Sequence, residues 1–458
     1  MEDRQGAIIL DPISESGNGT DGCEEQQNNV AKKESCILAV DLMEKVCNPV
    51  NLNRAYKRVK ANKGAPGVDG IIVEALGEYI RIHKEQLIQS LMDGSYKPQP
   101  VRRVMIPKPG GGERQLGIPS TVDRLVQQAI LQVLEPIFDP EFSESSYGFR
   151  PCRSAHGALK KAQRYVEEGY TWVVDMDIEK FFDRVNHDIL MSKLAKRIGD
   201  KRLLKIIRRF LTAGIMQEGV VMNRHEGTPQ GSPLSPLLSN IMLDELDKEW
   251  ERRGHKFCRY ADDQNTYVRS KRAGERVYLS VKQFLEKRLK LKVNEGKSAV
   301  APVQERKFLG YRIMRDSKLA VAPQSIQRVR EKIRKLTWRS RGKSLEDVIK
   351  QLNTYLQGWI NYYQLSAFKS LFNEIDAWIR RKLRCYKLKQ KKRGSTIVTF
   401  LMGLGVSEKA ARQIGSSGKG WWRLSRTEAV HRALSNAWFE AEGLMSLRRQ
   451  WEALLNTY

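Results

Sequence analysis

The sequence predicts an α+β fold, with strands in the middle of the chain and helices in its last third. Trp172-Val173-Val174 is typical of a buried strand, and acidic residues follow it directly. Residues 257–260 and 267–268 predict two short strands joined by an acidic turn. Beyond about residue 320, apolar residues recur at helical spacing. One such stripe contains Leu352, Tyr355, Leu356, Trp359 and Tyr363, and another contains Leu371, Phe372, Ile375, Trp378, Ile379 and Leu383.

Composition indicates a nucleic-acid-binding protein. The 458 residues include 80 Lys and Arg against 53 Asp and Glu, a net charge of +27, and this length predicts two or three domains. Such an excess is self-repulsive unless a polyanion neutralises it, so nucleic acid is the expected partner. The six cysteines contain no CxxC pair, which predicts neither a disulfide framework nor a zinc site. No apolar run approaches the roughly 18 residues of a membrane helix, and a cytoplasmic location is expected.

The charge is unevenly distributed along the chain. Residues 1–45 carry ten acidic and four basic side chains, a net charge of −6, so residues 1–49 are predicted to form a flexible acidic extension. Residues 321–400 carry nineteen basic and five acidic side chains, a net charge of +14. About half of the excess positive charge therefore lies in the predicted helical region.

Two acidic segments predict a metal site. In Arg259-Tyr260-Ala261-Asp262-Asp263-Gln264, adjacent carboxylates in a tight turn would repel each other unless a cation lay between them. Mg²⁺ prefers carboxylate oxygens and keeps positions open for phosphate. Asp175-Met176-Asp177 adds acids at the end of another strand, as two-metal phosphoryl transfer requires. For the Asp-Asp turn alone, an ordinary acidic surface turn remains the alternative.

A third segment is a Gly/Pro loop that precedes an apolar helix. It reads Gly227-Thr228-Pro229-Gln230-Gly231-Ser232-Pro233 and would let the backbone approach a base pair or a sugar. Without the other two segments it would indicate only a helix-entry loop.

These segments, in this order, resemble the reverse transcriptases encoded by group II introns. The resemblance runs from Asn51 to about Leu383. It also rests on Asn62-Lys63-Gly64-Ala65-Pro66-Gly67-Val68-Asp69-Gly70, Ile106-Pro107-Lys108-Pro109, Arg114-Gln115-Leu116-Gly117-Ile118-Pro119, Tyr147-Gly148-Phe149-Arg150-Pro151, Asn294-Glu295-Gly296-Lys297-Ser298 and Phe308-Leu309-Gly310-Tyr311.

The resemblance implies a right-hand polymerase with two Mg²⁺ ions. Asp177 lies five positions before Phe182, which is the family's spacing between the first metal-binding aspartate and the residue beneath the incoming sugar. The implied metal ligands are therefore Asp177, Asp262 and Asp263, whereas Asp175 is expected to close the strand or make a structural contact. The neighbouring Phe181 is expected to point into the core.

Other site residues are carried over in the same way. Lys108 and Arg114 match the pair that neutralises the nucleotide triphosphate, and solvated surface charge is the alternative for both. Gln230 would contact the nucleotide sugar. Lys297 matches the lysine that protonates the leaving pyrophosphate. Gln264-Asn265 departs from the apolar or Cys residue that usually follows Asp-Asp, and this polar pair is expected to weaken the burial of its strand.

The helical region resembles the thumb and maturase segment of the same family. Tyr355-Leu356-Gln357-Gly358-Trp359 and Ala377-Trp378-Ile379-Arg380-Arg381-Lys382-Leu383-Arg384 are similar to its characteristic blocks. Arg380, Arg381 and Arg384 are expected to bind RNA phosphates. After residue 384 the only Cys and His residues are Cys385 and His431, which are too few for an HNH endonuclease with cysteine pairs, so none is expected.

The resemblance also implies a domain order and a set of partners. Fingers are expected at 50–170, a palm at 171–315, a thumb and maturase region at 316–395, and a basic DNA-contacting segment at 396–458. The implied partners are group II intron RNA, an RNA template with a DNA primer, target DNA and dNTPs. The implied function is to assist splicing of the intron and to copy it into DNA during retrohoming. A splicing-only maturase and a host-adopted reverse transcriptase for defence or repair are the alternatives.

Overall fold

The computed structural model describes residues 39–107, 112–217, 220–222, 226–229 and 231–456. The chain divides into two compact units, the first ending at Pro302 and the second beginning at Val303. Among the described residues, no helix has the length and apolar character needed to cross a lipid bilayer.

The first unit combines ten α-helices with eight strands among its described residues. The helices are α1 (Leu42–Cys47), α2 (Pro49–Ala61), α3 (Leu76–Met92), α4 (Thr121–Phe138), α5 (Ala155–Glu167), α6 (Phe181–Arg184), α7 (His187–Ala195), α8 (Lys201–Thr212), α9 (Ser235–Arg252) and α10 (Lys271–Phe284). The strands are β1 (Val101–Pro107), β2 (Glu113–Ile118), β3 (Trp172–Met176), β4 (Ile215–Gln217), β5 (Val220–Met222), β6 (Lys256–Tyr260), β7 (Asp263–Val268) and β8 (Ala299–Pro302).

Local sequence explains where several of these helices begin. The side chains of Ser120, Ser154, Asn186, Asp200 and Ser270 each accept a hydrogen bond from a backbone N–H in the first turn that follows. Such caps satisfy amide groups that have no partner within the helix. In α8 apolar residues recur every three or four positions, and five of the six are buried: Leu203, Ile206, Ile207, Phe210 and Leu211.

A four-stranded sheet carries the predicted acidic segments. Its strand order is β6-β7-β3-β8, and every neighbouring pair is antiparallel. Helices α5, α9 and α10 contact this sheet. A second sheet has the order β2-β1-β4-β5, in which β1 and β4 are parallel. The strands predicted at 172–174, 257–260 and 267–268 are confirmed, together with the turn that joins the last two.

The structure corrects the end of the predicted flexible extension. Residues 1–38, which hold most of the acidic segment, lie outside the described residues. Within 39–49, by contrast, α1 buries Leu42, Met43 and Val46 in the core of the first unit. These apolar side chains outweigh the local acidic composition, because burying each one contributes about 1.5–3 kcal/mol.

The second unit is almost entirely helical. A short hairpin of β9 (Tyr311–Ile313) and β10 (Leu319–Val321) precedes nine helices among the described residues. These are α11 (Pro323–Leu336), α12 (Leu345–Tyr363), α13 (Lys369–Gln390), α14 (Gly394–Met402), α15 (Glu408–Gly415), α16 (Trp421–Leu424), α17 (Glu428–Ala433), α18 (Asn436–Ala441) and α19 (Leu447–Leu455). The predicted stripes are confirmed, since Leu352, Leu356 and Trp359 of α12 and Phe372, Ile375 and Ile379 of α13 are buried in one core.

Candidate active site

The Asp-Asp segment forms the tight turn between β6 and β7. Tyr260 pairs with Asp263, so Ala261 and Asp262 are the two connecting residues. Ala261 has a left-handed backbone, with φ of 58°, which costs an alanine about 1–2 kcal/mol. Asp262 is half-buried, and Asp263 is exposed. The turn therefore presents both carboxylates at one end of the sheet.

Asp177 lies at the same end of the sheet. In the antiparallel pairing of β3 with β7, Met176 faces Gln264, so Asp177 and Asp263 are the next residues beyond that pair. The Asp177 amide donates to Ser298 Oγ at 3.0 Å, and its carbonyl accepts from the Asn294 amide at 2.8 Å. The Asn-Glu-Gly-Lys-Ser segment thus fixes the backbone of the first predicted metal ligand.

Lys297 is brought to the acidic end by the same segment. Its Nζ lies 3.7 Å from Asp177 Oδ2, and its side chain is 70% exposed. A lysine at this position is both paired with a carboxylate and accessible to solvent. The structure therefore places four of the predicted site residues at one end of the sheet: Asp177, Asp262, Asp263 and Lys297.

The donor set suits a hard divalent cation. Three carboxylates at the ends of adjacent strands are the ligands that Mg²⁺ prefers. Within the described part of the chain, however, no three His, Cys, Asp or Glu side chains are close enough to hold an ion as they stand. Like-charged carboxylates repel each other, and Asp177 contacts Lys297 instead. The chemistry of the three acids thus suits Mg²⁺, whereas their described side chains do not form a metal site as they stand, and the ion itself stays a prediction.

The two adjacent phenylalanines have different environments. Phe181 is 2% exposed and belongs to the core, which confirms its expected position. Phe182 is half-buried, and its ring centroid lies 5.3 Å from that of Phe181 in an edge-to-face arrangement. The Thr228 amide donates to the Phe182 carbonyl at 2.6 Å. The Gly/Pro loop therefore lies against the turn that carries Phe182.

Gly227 makes this approach possible. It has φ of 89°, and a Cβ there would lie 2.7 Å from the Asp183 carbonyl oxygen. No larger residue could occupy this position without moving one of the two segments. The Gly227 carbonyl also contacts Nε2 of the buried His187 at 2.7 Å.

Three predicted nucleotide-binding residues cannot be placed as side chains. Lys108 and Gln230 lie outside the described residues. The backbone of Arg114 pairs with Ile106 in the β1–β2 hairpin. Their roles remain predictions.

The polar pair Gln264-Asn265 does not reduce the burial of its strand, so that expectation was wrong. Gln264 is 1% exposed and Asn265 is 3% exposed. Asn265 faces Asp175 across β7 and β3, and its amide nitrogen, turned toward the carboxylate, donates to Asp175 Oδ1 at 3.3 Å. This bond explains how a polar residue is buried there, and it confirms the structural role expected of Asp175.

Known proteins resemble both units of the chain. Residues 106–313 match the family described as reverse transcriptase (RNA-dependent DNA polymerase), and residues 326–400 match the group II intron maturase-specific domain. Protein YkfC of Escherichia coli (strain K12) is 35% identical over 315 residues, covering 60% of this chain and 83% of that protein. The chain belongs to the group II intron reverse transcriptase and maturase family.

Two other relatives match a smaller share of their own length. The group II intron-encoded protein LtrA of Lactococcus lactis subsp. cremoris is 40% identical over 213 residues, covering 46% of this chain and 35% of LtrA. An uncharacterized 91 kDa protein in the cob intron of Schizosaccharomyces pombe is 37% identical over 210 residues, covering 44% of this chain and 25% of that protein. The family membership confirms the predicted right-hand polymerase class. It also confirms the predicted function of an RNA-directed DNA polymerase with a splicing maturase domain.

Buried polar contacts that the sequence did not predict lie beneath the Asp-Asp turn of this reverse transcriptase. We call the residues that make them, Arg259, Asp247, Asn240 and Gly148, the bracket. Arg259 is completely buried and is paired with the equally buried Asp247 of α9, with Nη2 to Oδ2 at 2.5 Å. Its Nη1 donates to the Asn240 side chain at 2.8 Å and to the Ala261 carbonyl at 3.1 Å. The guanidinium thus ties the left-handed residue of the turn to a helix of the core. The position of Arg259 between Cys258 and Tyr260, inside the predicted strand, was the one sequence signal, and it did not identify the partners of Arg259.

The Tyr-Gly-Phe-Arg segment forms the other side of the bracket. A Cβ at Gly148 would collide with the backbone nitrogen of Ala261, so only glycine allows this approach. Asn240 Nδ2 donates to the Gly148 carbonyl at 2.9 Å. Arg150 is 9% exposed and donates to the carbonyls of Ser143 and Ser146, which fixes the loop. Loop and strand together hold the Asp-Asp turn in place.

In the maturase region, the structure corrects the predicted RNA contacts. Arg384 is 3% exposed, and its Nε donates to the Leu434 carbonyl at 2.9 Å. Burial lowers the pKa of Arg384 to about 10. It therefore joins helices within the protein, and its predicted RNA contact was wrong. Arg381 lies over the Trp422 ring at 3.6 Å and bonds the Trp422 carbonyl, while Arg380 is half-buried.

Proposed function

We propose that this reverse transcriptase copies its own group II intron RNA into DNA by two-metal nucleotidyl transfer and assists the splicing of that intron. The observation that carries the proposal is the position of Asp177, Asp262 and Asp263 at one end of a single sheet. When bound there, two Mg²⁺ ions would supply Lewis-acid stabilisation of the transferred phosphoryl group.

The side chains around the acids have complementary roles in this proposal. Lys297, 3.7 Å from Asp177, holds a proton that can pass to the departing pyrophosphate. Phe182 lies beneath the sugar of the incoming nucleotide. Lys108 and Arg114 bind its triphosphate, and Gln230 contacts its sugar.

The proposal assigns the partners and regions as follows. Fingers at 50–170 and a palm at 171–315 would bind the RNA template, the DNA primer and the dNTPs. The region 316–395, with its high positive charge, would bind intron RNA, and 396–458 would contact target DNA during retrohoming. The matching maturase-specific domain at 326–400 supports the RNA-binding part.

Replacing Asp262 with Ala tests the polymerase site. Primer extension should fall by at least about a thousandfold, roughly 4 kcal/mol in barrier height, because a metal ligand is lost. Intron RNA binding should stay within about twofold, because the basic surface is unchanged. The control is Asp188→Ala, which removes an equal charge from an 84% exposed carboxylate.

The outcome separates the candidate functions. Extension by Asp262→Ala within about tenfold of wild type, a barrier change of only ~1.4 kcal/mol, would contradict the site. A wild-type protein that promotes splicing without extending any primer would instead support a splicing-only maturase.

A further inference from the structure

Two adjoining cavities lie within the helical second unit. The first has a volume of about 370 Å³ and is lined by Arg334 of α11 and by Trp378 of α13. The second has a volume of about 340 Å³ and is lined by Trp338, which follows α11. Arg339 and Lys382 line both cavities. We call these two cavities the tryptophan–arginine pocket.

The pocket concentrates positive charge without a matching carboxylate. Arg334, Arg339 and Lys382 line it, and among the described residues no Asp or Glu does. Burial, together with the nearby charges of Arg334 and Arg339, lowers the pKa of Lys382. Crowded cations of this kind favour an anionic ligand, which offsets their mutual repulsion.

Aromatic rings hold these cations in place. The Arg334 guanidinium lies 5.6 Å and the Lys382 ammonium 5.4 Å from the centroid of the Trp378 ring. Such contacts orient the charges before a ligand arrives. Trp338, beside them, is 65% exposed, an unusual state for the largest side chain. The pocket therefore offers oriented cations together with an accessible aromatic face.

This combination matches one class of ligand. Single-stranded RNA is recognised by cations that contact phosphates and by aromatic rings on which unpaired bases stack. Paired bases within a helix do not expose their faces, so a stacking platform discriminates against duplex. The lining residues from Arg334 to Lys382 lie inside the segment that matches the maturase-specific domain.

We propose that the tryptophan–arginine pocket binds unpaired nucleotides of single-stranded RNA, with a phosphate against Arg334, Arg339 and Lys382 and a base stacked on Trp338. The proposal rests on the proposed binding of intron RNA and adds a site for it. The RNA contact expected of Arg384, which is buried, is thereby assigned to side chains that line a cavity.

The test measures binding of the full chain to a fluorescein-labelled single-stranded RNA of mixed sequence, by fluorescence anisotropy. Trp338→Ala should weaken binding by roughly 5- to 150-fold, the range for loss of one stacked base. The control Phe368→Ala, also in the second unit and 38% exposed, should leave the affinity unchanged.

A second pair of variants tests the phosphate contact. Arg339→Gln should reduce the slope of log K against log salt concentration by about 0.7, the value for one phosphate of a single strand. The control Arg432→Gln removes the same charge from a side chain that is paired with Glu428 and 77% exposed. Its slope should match that of wild type.

Binding to a blunt-ended RNA duplex of the same sequence tests whether the pocket prefers single-stranded RNA. Trp338→Ala should leave duplex affinity within about twofold of wild type, since stacking on Trp338 requires an unpaired base. Equal losses for duplex and single strand, or a single-strand loss under about twofold, would overturn the pocket while the proposed function stands. If the wild-type chain binds neither RNA, the proposed function itself fails.

Discussion

At the scale of single residues, Phe182 is expected to set the choice of sugar. A DNA-making enzyme must reject ribonucleotides, which differ by one hydroxyl group, and a steric wall achieves this better than a weak attraction. Phe182 is half-buried at the turn that the Gly/Pro loop contacts, whereas Phe181 is 2% exposed in the core. The two rings therefore have separable roles.

We predict that Phe182→Ala raises incorporation of ATP relative to dATP in single-nucleotide extension. Phe181→Ala should keep the wild-type preference and instead lower the free energy of unfolding by about 3–5 kcal/mol, because it leaves a cavity in the core. If Phe181→Ala changes the sugar preference and Phe182→Ala does not, the roles of this motif are misassigned, and Asp177 with them.

Asp123 makes the folding stability of the first unit depend on pH. Burial raises the pKa of Asp123 to about 6, although Ser120, Tyr96 and the Gln99 amide all donate to its carboxylate. The pKa of an aspartate in an unfolded chain is about 3.9. A group whose pKa is higher in the folded state stabilises the fold at low pH. That contribution is lost as the pH rises through the folded pKa.

We therefore predict that wild type loses stability relative to Asp123→Asn between about pH 4 and about pH 6. The loss should total about 2–3 kcal/mol, since each pKa unit corresponds to about 1.4 kcal/mol. Urea unfolding of both proteins across this range measures the difference. A difference that is constant with pH, or that changes in the opposite direction, would refute the assignment.

At the scale of elements, the β6–β7 hairpin depends on a helix and a loop for its position. The hairpin carries two of the three predicted metal ligands, and its turn contains the strained Ala261. Such strain persists only where the surroundings determine the conformation. Here Arg259 bonds the Ala261 carbonyl, and Gly148 packs against the Ala261 amide. We therefore expect the bracket to fix the positions of the Asp262 and Asp263 carboxylates.

We predict that Arg259→Lys lowers the single-turnover extension rate by roughly 10- to 100-fold, equivalent to ~1.4–2.7 kcal/mol in barrier height. Lysine keeps the charge beside Asp247 but cannot also reach Asn240 and Ala261, because its ammonium is a single point. The affinity for dNTP should change less than the rate.

The control is Leu203→Ala, a substitution in the core of α8, a helix that packs on α1, α3 and α7. Leu203 is fully buried, so its replacement destabilises the first unit at a site other than the hairpin. If Leu203→Ala, at a matched loss of stability, slows extension as much as Arg259→Lys, the bracket has only a structural role.

At the scale of the whole molecule, the positive charge is concentrated in one region of the chain. Residues 321–400 hold a net charge of +14 out of +27. Only part of this positive charge is accessible to RNA. Arg384 donates hydrogen bonds within the protein, whereas Arg334 and Arg339 are exposed. Affinity for RNA should therefore follow the exposed cations rather than the number of basic residues in a segment.

The sequence by itself determined many of the elements, and it predicted which acids would hold the metal ions. Apolar spacing located the strands around Asp177 and Asp262 and the stripes of α12 and α13, because such periodicity arises within one element. The order of the motifs was sufficient to predict the family, and the matches to the reverse transcriptase and maturase-specific families confirm it.

Only the tertiary structure decided which polar side chains are buried. Arg384 is buried because Leu434 and His431, about fifty positions away, accept its donors. Asn265 is buried because Asp175 faces it on another strand. Arg259 is buried because Asp247 and Asn240 meet it from α9. Burying a charged or polar group without a specific partner is costly. Such partners come from segments distant along the chain, so no local pattern around these residues could have shown them.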